Sequence, residues 1–274
     1  MAETGRDRPI RGCASGEATV SWARALAFNL VLFAWTAIIG ALGLPFLLAP
    51  RAVTMRFGRF WATGVLTVLK LIVGLGHEIR GLDRIPRGGC IIAMKHQSAW
   101  DTLVLPVVLD DPAPVVKREL LLLPFFGWYA GRAGSIAIDR KAGAGALRRM
   151  LAKARPAASA GRPIVIFPEG TRVAPGERRL YQPGVAALYQ ALAVPVVPAA
   201  VNSGLYWGRR SFLKREGRII LEFLDPIPPG RTRPRVMAEL ERRIEAATAA
   251  LVREGMSTMN ARPHRRGGYV RAPE

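Results

Sequence analysis

The 274-residue sequence predicts an α/β protein: a largely parallel central sheet flanked by helices, preceded by a membrane-embedded helix or helical hairpin. Two observations carry this expectation. Behind Gly81, short β-rich apolar runs alternate with stretches of helical length, which is the pattern of βαβ units. Ahead of it, Ala25 to Pro50 holds no charged residue, and its roughly 26 residues exceed the ~20 that a helix needs to cross a bilayer core.

Taken in order, residues 1–24 form a basic segment with Arg6, Arg8, Arg11 and Arg24. The Ala25–Pro50 run is too long for the apolar region of a signal peptide, and no small-residue cleavage site follows it cleanly. A buried core helix of that length would be unusual. Trp61 to Gly76 is also apolar, but Lys70 interrupts it and it is short for a span. It reads as an interfacial helix with Lys70 reaching the headgroups. Arg51, Arg56 and Arg59 follow the first run, so basic residues flank it on both sides and give no orientation. That symmetry is compatible with a hairpin whose two ends return to one face.

The α/β unit is expected over 81–258, with a disordered basic tail over 259–274. Its strands are Cys90–Met94, Ser135–Asp139, Pro163–Phe167, Pro195–Val201 and Arg218–Phe223. Helices are expected around Asp101–Leu109, Ala142–Ala154, Val185–Ala193 and Val236–Arg253. On such sheets ligands sit beyond the carboxyl ends of the strands.

Composition narrows the partners. Lys plus Arg number 40 against 20 acidic residues, a net charge of +20, which favours anionic partners such as an acidic leaflet or phosphorylated substrates. The charge is spread rather than blocked and is not interleaved with aromatics. There is no RNP-like run or Cys/His finger, so no nucleic acid is expected. Cys13 and Cys90 lie far apart, which argues against a disulfide scaffold and a metal site and fits a reducing compartment.

The chemistry concentrates where strands end. In "IIAMKHQSAWD", Ile91 to Asp101, His96 follows a buried strand, and Ser98 and Asp101 have capping-box spacing. The bland reading of Asp101 is a helix cap; the sharper one is that it also accepts from the His96 ring and stabilises the imidazolium. One carboxylate can do both. "FPEGTR", Phe167 to Arg172, follows the next buried strand. Gly170 permits close backbone approach and Arg172 offers a fork suited to phosphate. It could equally be a surface turn. "GSIAIDR" ends a strand on Asp139 and Arg140, "VVKRELLLLPFFGW" places Lys117 at a strand end, and "VPVVPAAVNSG" is another buried strand. Each is ordinary alone; their order is not.

In this order the blocks resemble the glycerolipid acyltransferase family over roughly Gly81 to Phe223. The resemblance implies His96 as general base and Asp101 as its partner. It makes Lys117, Arg140 and Arg172 contacts for a substrate phosphate, places Glu169, Gly170 and Thr171 in the acceptor loop, and lets Val194–Val201 line the acyl-donor site. It implies acyl transfer from acyl-CoA or acyl-carrier protein to the sn-2 hydroxyl of lysophosphatidate, with no cofactor or metal. A catalytic site on the cytoplasmic face of a bacterial inner membrane, against an anionic leaflet, would follow. No covalent intermediate is required, since "GxSxG" is absent and neither cysteine sits beside a histidine. Oxyanion donors are expected among backbone N–H groups near Ser98. Glycerol-3-phosphate or a lyso-ornithine lipid as acceptor, and a membrane-anchored basic binding protein without catalysis, stay open as alternatives.

Overall fold

The computed structural model describes residues 22–139 and 143–261. Arg140, the N-terminal arginines Arg6, Arg8 and Arg11, and residues 262–274 lie outside the described residues, whereas 259–261, expected to be disordered, end the last helix (Arg233–Ala261).

Helix α1 (Trp22–Leu42) covers only the first part of the uncharged run. Pro45 ends it, because its ring clashes with a carbonyl four residues back and it has no N–H to give. A 3-10 turn (Leu44–Leu47) then leads to α2 (Arg51–Val68), which continues as one π turn through Val73. The expected interfacial helix is therefore the second arm of a hairpin, and Lys70 lies exposed in its π turn. The arms meet closely: the Trp35 and Trp61 indoles donate to Trp61 O and Thr36 Oγ1 at 3.1 and 3.2 Å, and a Cβ on Gly64 would meet Trp35 at 2.4 Å. Along α1 only Ala25, Phe28 and Gly40 are buried, while Trp22, Leu30, Phe33 and Leu42 stand more than 60% exposed. A helix apolar on every side yet packed along one stripe is suited to lipid. It is the one described helix long and apolar enough to cross a membrane.

The seven strands are β1 (Leu75–Arg80), β2 (Ile91–Met94), β3 (Ala113–Lys117), β4 (Ile136–Ile138), β5 (Ile164–Ile166), β6 (Val196–Val201) and β7 (Gly217–Phe223). Their order is β1-β7-β6-β2-β5-β3-β4. Pairing is parallel except between β6 and β7, so β7 and β1 form a reversed edge pair beside a five-stranded parallel sheet. β1 was not expected from sequence. Its "LGHEIR" is the last six residues of 25–80, expected as a membrane-embedded or interfacial helical segment, and only Gly74, in the left-handed region at φ 75°, separates it from the π turn.

The other helices are α3 (Trp100–Leu103), α4 (Leu105–Val108), α5 (Phe126–Arg132), α6 (Gly143–Ser159), α7 (Gly184–Leu192) and α8 (Arg233–Ala261). The expected helix over 101–109 is two short turns, because Pro106 interrupts the ladder. On one face of the sheet Phe28, Leu66, Leu69 and Trp100 pack against Ile92 and Val197; on the other Met150, Leu188, Leu240 and Ile244 pack against Ile91 and Ile164. With both faces covered, β2 is buried at all four positions, hence its unbroken "IIAM".

Candidate active site

Three neighbouring strands deliver the site from their carboxyl ends. β2 leads into Lys95 and His96, β5 into Phe167–Arg172, and β6 into Asn202 and Ser203. Lys117 ends β3, the next strand out, and is exposed; Arg140 falls outside the described residues.

His96 Nδ1 lies 2.8 Å from Asp101 Oδ2. The same oxygen accepts the backbone N–H groups of Gln97 at 2.7 Å and Ser98 at 2.8 Å, while Oδ1 accepts the Ser203 hydroxyl at 2.5 Å. Asp101 is fully buried, and every one of these neighbours gives to it. An acceptor-only carboxylate makes Nδ1 the protonated nitrogen and leaves the Nε2 lone pair free. The ring is 12% exposed and stacks on Phe167, with centroids 4.0 Å apart. Only half of the expected capping box forms: Asp101 reaches back to Ser98 N, while Ser98 Oγ accepts from Trp100 N at 3.2 Å, two residues on rather than three. Helix α3 starts at Trp100, with Ala99 as its N-cap and no side-chain cap bond. The Gln97 and Ser98 N–H groups are committed to Asp101, so the expected oxyanion donors cannot be these two.

The "FPEGTR" loop turns sharply, Gly170 N donating to Phe167 O at 2.9 Å with Gly170 at φ 70°. It is tied to His96 by Val173 N on His96 O at 2.8 Å. Glu169 is buried and does not face an open site: Oε2 accepts from His96 N at 3.1 Å and Oε1 sits 2.7 Å from Lys95 Nζ. Thr171 and Arg172 are half-buried. Burial lowers the Arg172 pKa from its ordinary value, the Asp101 charge opposes that, and Arg209 adds to it. The Arg209 charge is thus felt at Arg172, and among the described residues neither has an ion-pair partner.

Sequence reasoning missed Ser203, Lys95, Glu245 and Arg209. Ser203 lies in the quoted "VNSG" just past a buried strand, so the strand-end rule contained the signal. Glu245 sits beside the apolar stripe of α8 formed by Leu240, Ile244 and Leu251, where an acid is out of pattern.

A second feature opens on the hairpin side. An apolar cleft with about 1000 Å³ of empty space, its open part included, runs between α1, α2, β3 and α5. Gly40, Phe57, Gly58, Leu103, Val116 and Tyr129 are among its lining residues, and Thr102 and Leu103 directly follow Asp101.

A family model described as "Acyltransferase" matches residues 76–202. The 1-acyl-sn-glycerol-3-phosphate acyltransferase of Pseudomonas aeruginosa is 35% identical over 236 residues, 83% of this chain and 90% of that protein. The human 1-acyl-sn-glycerol-3-phosphate acyltransferase alpha is 28% identical over 69% of this chain and 68% of its own. The crystal structure of PlsC, the 1-acyl-sn-glycerophosphate acyltransferase of Thermotoga maritima, superposes with a TM-score of 0.68 at 18% identity, covering 89% of this chain and 97% of that one.

Proposed function

This chain belongs to the family of 1-acyl-sn-glycerol-3-phosphate acyltransferases, and on that premise we propose that it transfers an acyl chain from a thioester donor to the sn-2 hydroxyl of lysophosphatidate. The observation that carries the mechanism is the His96–Asp101 pair, held at 2.8 Å with Asp101 accepting three further donors. A hydroxyl is a weak nucleophile. His96 Nε2 takes its proton as the oxygen attacks the thioester carbonyl, and buried Asp101 stabilises the imidazolium that forms. That proton then passes to the leaving thiolate, and no acyl-enzyme is needed.

Arg172 and Lys117 bind the acceptor phosphate, a role supported by their places past β5 and β3 on the same edge of the sheet as His96. The cleft beside α1 and α2 receives an acyl chain, because its lining is apolar and it starts one residue from Asp101. α1 holds the enzyme in the bilayer with the site toward the cytoplasmic leaflet, and the +20 charge draws the catalytic unit onto anionic headgroups. The test crosses lysophosphatidate, glycerol-3-phosphate and lyso-ornithine lipid with acyl-CoA and acyl-carrier protein, reading thioester consumption. Turnover confined to lysophosphatidate supports the proposal; a preference for either other acceptor refutes it.

A further inference from the structure

Lys95, one residue before His96, is a lysine with 1% exposure. A buried ammonium is costly unless it is paired and hydrogen-bonded. Two carboxylates meet it: Glu245 Oε1 of α8 at 2.6 Å and Glu169 Oε1 at 2.7 Å. The Glu245 contact is an aligned hydrogen bond, and Tyr181 OH donates to the same oxygen at 3.0 Å. Glu169 Oε1 pairs with the Lys95 ammonium while Oε2 takes the His96 N–H. A path of three polar contacts therefore joins α8 to the backbone of His96.

The same helix touches the site at a second point. Leu251 O accepts from Asn202 Nδ2 at 3.2 Å, and the next residue, Ser203, holds Asp101. Both halves of the His96–Asp101 pair lean on α8, which lies beyond the segment matched by the family model. On charge grounds one carboxylate would satisfy Lys95. The second crowds two like charges in a buried space, and burial pushes the Glu169 carboxyl above the usual range. What the third group adds is connection between elements.

We propose, on the reading of His96 as general base, that Lys95 and Glu245 are positioning residues. The buried Lys95–Glu169–Glu245 cluster locks α8 against the end of β2 and fixes His96 and the Phe167–Arg172 loop in register.

The experiment uses the full-length enzyme in lipid vesicles with lysophosphatidate and acyl-CoA, and compares kcat, KM and melting temperature. Glu245→Leu is expected to lower kcat about 10²-fold, the cost of a misplacement near 1 Å, while KM for both substrates moves less than about threefold. Glu245→Gln keeps an acceptor for Lys95 Nζ and Tyr181 OH and restores kcat to within about threefold of wild type. Lys95→Met, Glu169→Gln and Glu245→Leu together remove all three charges, leave no buried carboxylate without its cation, and recover the melting temperature but not kcat. Wild-type kcat in Glu245→Leu, or in the triple variant should the single one not fold, overturns the proposal. So does a Glu245→Gln enzyme no faster than Glu245→Leu at equal stability. His96→Ala separates the two readings. If it stays active the general base itself is wrong, whereas an inactive His96→Ala beside a fully active Glu245→Leu removes the tether alone.

Discussion

Asp101→Asn keeps the shape of a side chain and removes its charge, and the surrounding donors dictate the result. Oδ2 holds His96 Nδ1, Gln97 N and Ser98 N at 2.7–2.8 Å, and Oδ1 holds Ser203 Oγ at 2.5 Å. An amide offers one acceptor oxygen and an NH₂ group. The two backbone N–H groups cannot turn, so the amide oxygen stays on them and the NH₂ faces Ser203, whose hydroxyl rotates to accept. Three N–H bonds then pass from charge-assisted, ~1.5–3 kcal/mol each, to neutral, ~0.5–1.5, a loss of about 3 kcal/mol in all. At ~2–4 °C per kcal/mol for a chain of this size, the melting temperature falls by about 6–12 °C. Activity falls further, because the imidazolium forming in a buried site has lost its counter-charge; the expected drop in kcat/KM is ~10²–10⁴-fold. The assay is thioester consumption with lysophosphatidate in vesicles, run beside thermal unfolding of the same preparation. A folded Asp101→Asn enzyme within about tenfold of wild type would refute the reasoning, leaving Asp101 a helix cap and nothing more.

Other expectations follow from the same geometry. His96→Ala should fold, since its ring is partly exposed and stacks only on Phe167, yet lose ~10²–10⁴ in rate; near-normal turnover removes the general base. Arg172→Ala should raise KM for lysophosphatidate more than for the donor, with Lys117→Ala in the same direction, and equal losses for both substrates would point to folding instead. At Gly58, within α2 and lining the cleft, an added Cβ meets nothing within 4 Å, so Gly58→Leu should shift donor preference to shorter chains without lowering the melting temperature. An unchanged chain-length profile would show that the cleft does not hold the acyl group. Burial among Phe28, Trp207 and Phe212 pulls the Lys214 ammonium down to about 8 from 10.5. Between those values the unfolded chain binds more protons than the folded one, so this group makes stability rise with pH across the window. The difference in unfolding free energy between wild type and Lys214→Met should change across it; a flat difference removes the buried ammonium.

Much of the site is legible in sequence because it obeys local rules. His96, Asp101 and the Phe167–Arg172 loop each follow a buried apolar run by a few residues, and the strand-end rule brings them together once the sheet is parallel. What the chain conceals is set by long-range pairing. β1 reads as the tail of an apolar helix because "LGHEIR" has no strong strand signature, and its pairing with β7 lies more than 130 residues away. Glu169 shows the same limit: its neighbours suggest an exposed acceptor loop, yet its partners are Lys95 and a backbone N–H that only the fold supplies. The membrane run misleads differently. Its composition is uniform from Ala25 to Pro50, and the turn hidden in "GLPF" divides one apparent span into the first arm and tip of a hairpin.

The direct passage from the π turn through Gly74 into β1 has a mechanical consequence. β1 is hydrogen-bonded along β7 from Leu75 to Arg80, so the hairpin has a one-residue joint and no slack linker where it meets the sheet. Arg59 and Arg132 brace it from the other side, giving their N–H groups to the carbonyls of Pro106 and Leu109 and of Leu47 and Ala49. The pocket around His96 thus keeps a set height relative to the hairpin. On the proposed membrane placement and the proposed role of His96, a leaflet that thickens or thins lifts or lowers that pocket with the hairpin, and the depth at which a substrate hydroxyl meets His96 becomes a property of the bilayer as much as of the enzyme.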